Sequence, residues 1–328
     1  MTIIVIAALG AILATNQPVA ISNRLVAPTA LSSTVGETND PVDQALQKLM
    51  EDDDAARAEV DKWITDNQAF TAKGAGIPRA ELNRRIFDRF APIRKGYEDL
   101  SRAHTNRADI LIAYASWLGE TGEEDLAIQQ LEKARGIDAK DPAIWNNLAN
   151  LYGHNGEVKK SFEYYAKAIE LSPTEPVYYH NFGTTVFLFR KDAKEFYDFT
   201  EQQVFDKALL LYSNAIRLDP QDFKLAADVA QTFYGIQPPR TEEALQAWTN
   251  AYRLAGDDEE REGVHTHFAR VKLKAGRFAE ARAHLNSVTN EMYAELKRRL
   301  TRNLQEAEAT LSDTNMPTPT NATTHPAR

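Results

Sequence analysis

The chain has 328 residues, 43 % of them apolar and 26 % charged, the values of a soluble globular protein with room for two ordinary domains or one long repeat array. A formal net charge of −9 lacks the basic footprint of a general nucleic-acid binder. No cysteine is present, which excludes disulfides, a thiolate nucleophile and Cys-ligated zinc.

Residues 3–14, IIVIAALGAILA, form an uncharged apolar run. It is short for a membrane span, which takes roughly 20 residues, and suits a signal-peptide core. No Lys or Arg precedes it, and the small residues Ala20 and Ala30 each have Pro two positions earlier. We read residues 1–20 as a signal peptide or N-terminal anchor. The chain is then exported (periplasmic, secreted or anchored), or cytoplasmic if the run is instead a buried helix. Any membrane association rests on this run alone. The Pro-, Ser-, Thr- and Asn-rich stretch through residue 40 reads as a linker.

From Pro41 the spacing turns helical, with Val42, Leu46, Leu49 and Met50 on one face and Val60, Trp63 and Ile64 continuing it. Gly74, Gly76 and Pro78 break the chain. A second helical segment carries Leu82, Ile86, Phe87 and Phe90, and Pro92 is expected to end or kink it and open a third over 93–103. The acidic run Glu51–Asp54 lacks the spaced ligands and glycine of a calcium loop and reads as a solvated face.

Beyond residue 107 the sequence repeats. Leu111, Trp145 and Tyr179 are 34 residues apart; so are Tyr114, Leu148 and Phe182, and Ala115, Ala149 and Gly183. In the second half of the unit Ala127 matches Ser161, Leu131 matches Tyr165, and Ala134 matches Ala168. Gly122, Gly156 and Gly276 mark one turn, and Pro173 and Pro220 close their units. Small residues at Ala115, Ala149, Gly183, Ala230 and Ala269 let two helices approach. Tyr165, Tyr212 and Trp248 fill the space beside them, and no unit buries its apolar face without a neighbour.

These residues resemble the tetratricopeptide repeat family. The unit 142–175 matches its pattern at Trp145, Leu148, Ala149, Tyr152, Tyr165, Ala168 and Pro173, with Ser161 in place of an Ala. The expected fold is all-α, a right-handed α-solenoid of helix-turn-helix repeats with helical caps. Residues 41–107 form an N-terminal cap in which the helix around Tyr97 is a degenerate half-repeat. Five units follow over 108–141, 142–175, 176–222, 223–258 and 262–295. Val288, Met292, Leu296, Leu300 and Leu304 continue a helix, the C-terminal cap lies at 296–307, and 308–328 is a disordered tail holding a glycosylation triplet at Asn321. In the third unit Ala168 to Ala215 spans 47 residues instead of 34. Its insertion, around 187–204, combines Phe187, Phe189, Phe196, Tyr197 and Phe199 with Arg190 and Lys191. Either it supplies a binding face or its aromatics pack as core.

No HExxH, GxSxG, phosphate-loop or dinucleotide glycine pattern occurs, and no catalytic residue, cofactor or metal is expected. His265 and His267 would point different ways on a helix. The resemblance implies instead a concave groove lined by the first helix of each unit. Carried onto this chain, the groove residues are Asn146, Asn147, Asn150 and His154; His180, Asn181 and Thr184; Asp228, Gln231 and Tyr234; and His267, Arg270 and Lys274. Amide side chains both donate and accept, so a row of them can hold an extended peptide backbone; the alternative is a plain solvated helix face. Asn147 and Asn181 sit at the asparagine positions of the family's carboxylate clamp, but Ile112 and Val177 replace its lysines, so that clamp is not expected. The function implied is a scaffold binding a protein or peptide in the groove. The alternatives are an envelope structural or assembly protein working through its convex face or caps, and an enzyme with an unrecognised site.

Overall fold

A computed structural model describes residues 40–314, with side-chain surroundings through residue 311. The apolar run at 3–14, the linker and the Asn321 triplet lie outside the described residues. Those residues form α-helices joined by short turns, with no strand among them. They divide into two compact units, parting after Pro220.

The first unit opens with a hairpin of α1 (Pro41–Thr71) and α2 (Arg79–Ala103). Asp40 caps α1 by accepting from the Val42 N–H at 2.9 Å. Pro92 does not divide the second helix as expected: α2 runs through it unbroken. Pro92 is exposed, while Ile86, Phe90, Ile93 and Tyr97 on either side of it are buried. That continuous apolar face outweighs the roughly 3 kcal/mol an interior proline costs. Tyr97 lies parallel to Tyr114 with ring centroids 5.7 Å apart, so α2 covers the open end of the repeats. The acidic run is not wholly solvated either. Asp53 is buried against Arg57 at 3.0 Å, and Arg57 reaches Glu120 at 2.6 Å.

Three helix pairs follow in this unit: α3 (Ala108–Glu120) with α4 (Glu124–Ile137), α5 (Pro142–His154) with α6 (Val158–Leu171), and α7 (Pro176–Leu188) with α9 (Glu201–Leu218). The glycine turn is built the same way in successive pairs. Gly122 and Gly156 adopt φ of +85° and +84°, a conformation open to glycine. The next N–H then closes the helix end, Glu123 onto the Leu118 carbonyl and Glu157 onto the Tyr152 carbonyl, each at 2.8 Å. Trp145 and Tyr179 tie their helices back to the preceding turn in the same way. The indole N–H donates to the Ala139 carbonyl at 2.8 Å and the phenol to the Pro173 carbonyl at 3.1 Å, each six residues back. Gly183 is needed for close approach, since a Cβ there would stand 3.0 Å from the Tyr212 ring.

The insertion contributes a short helix, α8 (Arg190–Tyr197), which ends on Asp198 in the left-handed region. Phe196 and Tyr197 pack on Phe162 at 5.4 and 5.7 Å, and Phe187 meets Phe205 at 6.0 Å. Phe187 is buried, whereas Phe189, Phe196, Tyr197 and Phe199 are half-buried, so the insertion's rings pack against the lengthened pair and keep part of their surface open.

In the second unit α10 (Phe223–Thr232) pairs with α11 (Thr241–Leu254), and α12 (Asp258–Lys274) with α13 (Phe278–Asn286). The glycine turn recurs at Gly276, φ +73°. The helix does not continue through Val288 and Met292 as expected. It ends at Asn286, and a single 3₁₀ turn at Glu291–Tyr293 leads into α14 (Ala294–Thr314). Glu262 of α12 accepts from the Thr289 and Asn290 N–H groups, both at 2.6 Å, and so holds the break open. Leu296, Leu300 and Leu304 of α14 are buried. The tail begins later than the sequence suggested, because α14 extends to Thr314 with Glu308 paired to Arg282 of α13.

Candidate functional site

The first helices of neighbouring pairs lie side by side in the first unit: α3 touches α5, and α5 touches α7. The polar positions between their packing residues are therefore brought together, and the structure buries them. Asn146, Asn147 and Asn181 have no exposed surface, Asn150 has 1 %, His180 4 % and Thr184 none. An open helix face would leave amides wet; here they form a hydrogen-bonded chain. Asn146 donates to Asn147 at 3.1 Å, and Asn181 donates to Asn146 across the helix junction at 3.1 Å. The Tyr165 hydroxyl donates to Asn150 and accepts from Thr185 at 3.2 Å, and Tyr212 donates to Thr184 at 3.1 Å. Burial pushes the Tyr165 phenol far up, so it stays neutral. Ser161, the departure from the repeat pattern, donates to the Ala149 carbonyl at 2.6 Å. Of the first-unit positions only His154 is exposed, and its Nδ1 meets Glu124 at 3.2 Å.

The second unit treats its positions differently. His267 on α12 is buried and lies flat on Trp248 of α11, with ring centroids 4.0 Å apart and planes 6° off parallel. Its Nδ1 is 2.9 Å from the Tyr234 hydroxyl. Burial, with the nearby Arg270 charge, lowers the imidazole to about 3, so it is neutral and pairs with the phenol without a charge to solvate. Arg270 lies over the outer face of Tyr234 at 4.2 Å, and Lys274 stands 5.9 Å from the same ring. Gln231 is buried, whereas Asp228 is half-buried and Lys274 exposed. A shallow cleft beside them is walled by Tyr234, Ile236, Pro239, Val271 and Lys274. This end of the unit presents an aromatic platform with two cations at its rim, a surface suited to apolar, aromatic or acidic groups.

Sequence reasoning placed Trp248 as filler, whereas it is also the base on which His267 and Tyr234 are set. The repeat pattern identified the residue but not this use. The Asn150–Tyr165–Thr185 chain was likewise hidden, since Tyr165 counts as a packing position in the pattern and Thr185 falls outside it. Among the described residues no cluster of three or more His, Asp or Glu side chains converges as a metal site, and none of the helices is long and apolar enough to cross a membrane.

Comparison with known proteins places the repeats. The family model for the tetratricopeptide repeat matches residues 142–175. Over 98 residues, 30 % of this chain, the sequence is 33 % identical to the photosystem I assembly protein Ycf3 of Prochlorococcus marinus subsp. pastoris. The chain spans about half the length of that curated relative, 53 %. Among solved structures it is similar to PilF of Pseudomonas aeruginosa, with 15 % identity, a TM-score of 0.48, and coverage of 78 % of this chain and 99 % of the other. It is also similar to YrrB, described as a TPR protein with an unusual peptide-binding site, with 13 % identity, a TM-score of 0.47, and coverage of 64 % and 99 %.

Proposed function

The chain is a tetratricopeptide-repeat protein, and from that premise we propose that it is a binding scaffold holding a protein or an extended peptide on the first helices of its repeats, rather than an enzyme. The observation that carries this reading is the accessible Tyr234–Arg270–Lys274 surface of the second unit, where two cations rim an aromatic ring. The buried Asn146, Asn147, Asn150 and Asn181 fix the spacing of the first helices. In the second unit, Tyr234, Arg270, Lys274 and Asp228 contact the partner.

A display selection with random peptides on the purified chain tests this. Enriched peptides should lose affinity for Arg270→Glu and Lys274→Glu. No enrichment, or enrichment indifferent to both changes, removes the groove assignment. Assembly work, in which the bound partner is a subunit awaiting its complex, is the second reading; the likeness to Ycf3 over 98 residues is what favours it. Export through the run at 3–14 belongs to the same proposal, and N-terminal sequencing of the protein from its native host checks it: cleavage or membrane retention supports export, and an intact soluble chain refutes it.

A further inference from the structure

We propose that His265 and His284 form a binding site for one transition-metal ion of the zinc, copper or nickel class, set between α12 and α13. The two Nδ1 atoms face each other at 2.9 Å. Two imidazole lone pairs cannot point at one another, so one ring holds a proton on Nδ1 and donates it to the other. An ion bound tetrahedrally by two imidazoles, with bonds of about 2.0–2.1 Å, needs its nitrogens roughly 3.3 Å apart. A widening of a few tenths of an ångström therefore lets a metal take the place of the shared proton. The donor ring then carries its proton on Nε2 instead, and no net proton is released. Neither Nε2 is among the buried atoms that lack a partner, so the proton has somewhere to go.

The rings are held in place. His265 meets the edge of Tyr252 at 5.2 Å, and His284 stacks on Phe268 at 4.9 Å. Both are half-buried, which leaves an entry path for an ion. The Nδ1···Nδ1 contact already requires one of the two nitrogens to be unprotonated, the form that ligates metal. Imidazole favours borderline ions over calcium or magnesium. The flanking carboxylates are engaged elsewhere: Glu262 holds Thr289 and Asn290, and Glu280 pairs with Lys272. Water completes the coordination shell. The site is separate from the peptide surface, because His267, two residues along α12, is turned toward Tyr234 and Trp248.

The test is calorimetric titration of the tag-free full-length chain with zinc chloride and nickel chloride at pH 7.5. One equivalent should bind, and His265→Gln and His284→Gln should each weaken binding more than about tenfold, while His267→Gln leaves it unchanged. Absence of binding, or one-equivalent binding that survives both substitutions, overturns the site. Because either variant could fold poorly, the wild-type protein supplies a second measurement. Substoichiometric copper(II) should broaden the imidazole NMR signals of His265 and His284 before those of His154; the reverse order overturns the proposal.

Discussion

Asn147 and His267 stand at the same place in their repeats, two residues before the small packing residues Ala149 and Ala269. Both are buried, yet their surroundings differ in kind. Asn147 accepts from Asn146, which accepts in turn from Asn181 of the next first helix. His267 instead lies against Trp248 and Tyr234, and the cations Arg270 and Lys274 sit above that platform. One repeat position thus serves to lock helices in the first unit and to support a cation-rimmed aromatic platform in the second. The lesson is that a polar residue at a groove position is defined by its cross-helix partners and not by its place in the repeat.

Substitutions can break the comparison in order of severity. Trp248→Ala removes the platform from the second unit and should cost about 3–5 kcal/mol, seen as loss of the second unit's cooperative unfolding in a denaturant titration. Retention of full stability would show the ring is not core. Asn146→Leu removes the donor to Asn147 and the acceptor of the Asn181 amide in the interior, at a cost of about 1–3 kcal/mol. Amide exchange should then quicken across α5 and α7, and unchanged protection there would mean the amide chain is not structural. Gly183→Ala pushes a methyl to 3.0 Å from the Tyr212 ring, with an expected loss of about 1–3 kcal/mol in the same titration.

Acid should separate the two units without any substitution. His267 is lowered in the fold to about 3 from an ordinary value of 6.5. The unfolded chain therefore takes the proton first as pH falls, and the stabilisation present above pH 6.5 is lost progressively toward pH 3, at up to about 1.4 kcal/mol per pH unit. His284, lowered to about 4, acts in the same direction. Trp248 fluorescence should report the second unit opening between pH 6 and 4. His267→Phe should flatten part of that dependence, and an unaltered pH profile would contradict the burial argument.

Much of the fold was legible because repeats announce themselves by phase. Trp145 and Tyr179, and the glycines at 122, 156 and 276, could be aligned by counting, and their shared hydrogen bonds follow from that spacing. What counting could not show was any feature decided by a distant partner. Pro92 signals a break locally, but Phe90, Ile93 and Tyr97 are buried on a continuous face that carries the helix through. Glu308 reads as tail until Arg282 is seen beside it. Asn146 reads as solvated until Asn181 of the next helix donates to it. His265 and His284, 19 residues apart, meet only because α12 and α13 fold back on each other.

The most direct test of the division between lock and surface uses a peptide obtained by display selection, its affinity measured by fluorescence anisotropy alongside melting temperature. The account predicts that Arg270→Glu lowers affinity at least about tenfold, or 1.4 kcal/mol, with the melting temperature nearly unchanged. Asn146→Leu should lower the melting temperature and leave the affinity of the folded protein within about twofold. The opposite pattern, with affinity lost in Asn146→Leu and kept in Arg270→Glu, would contradict it.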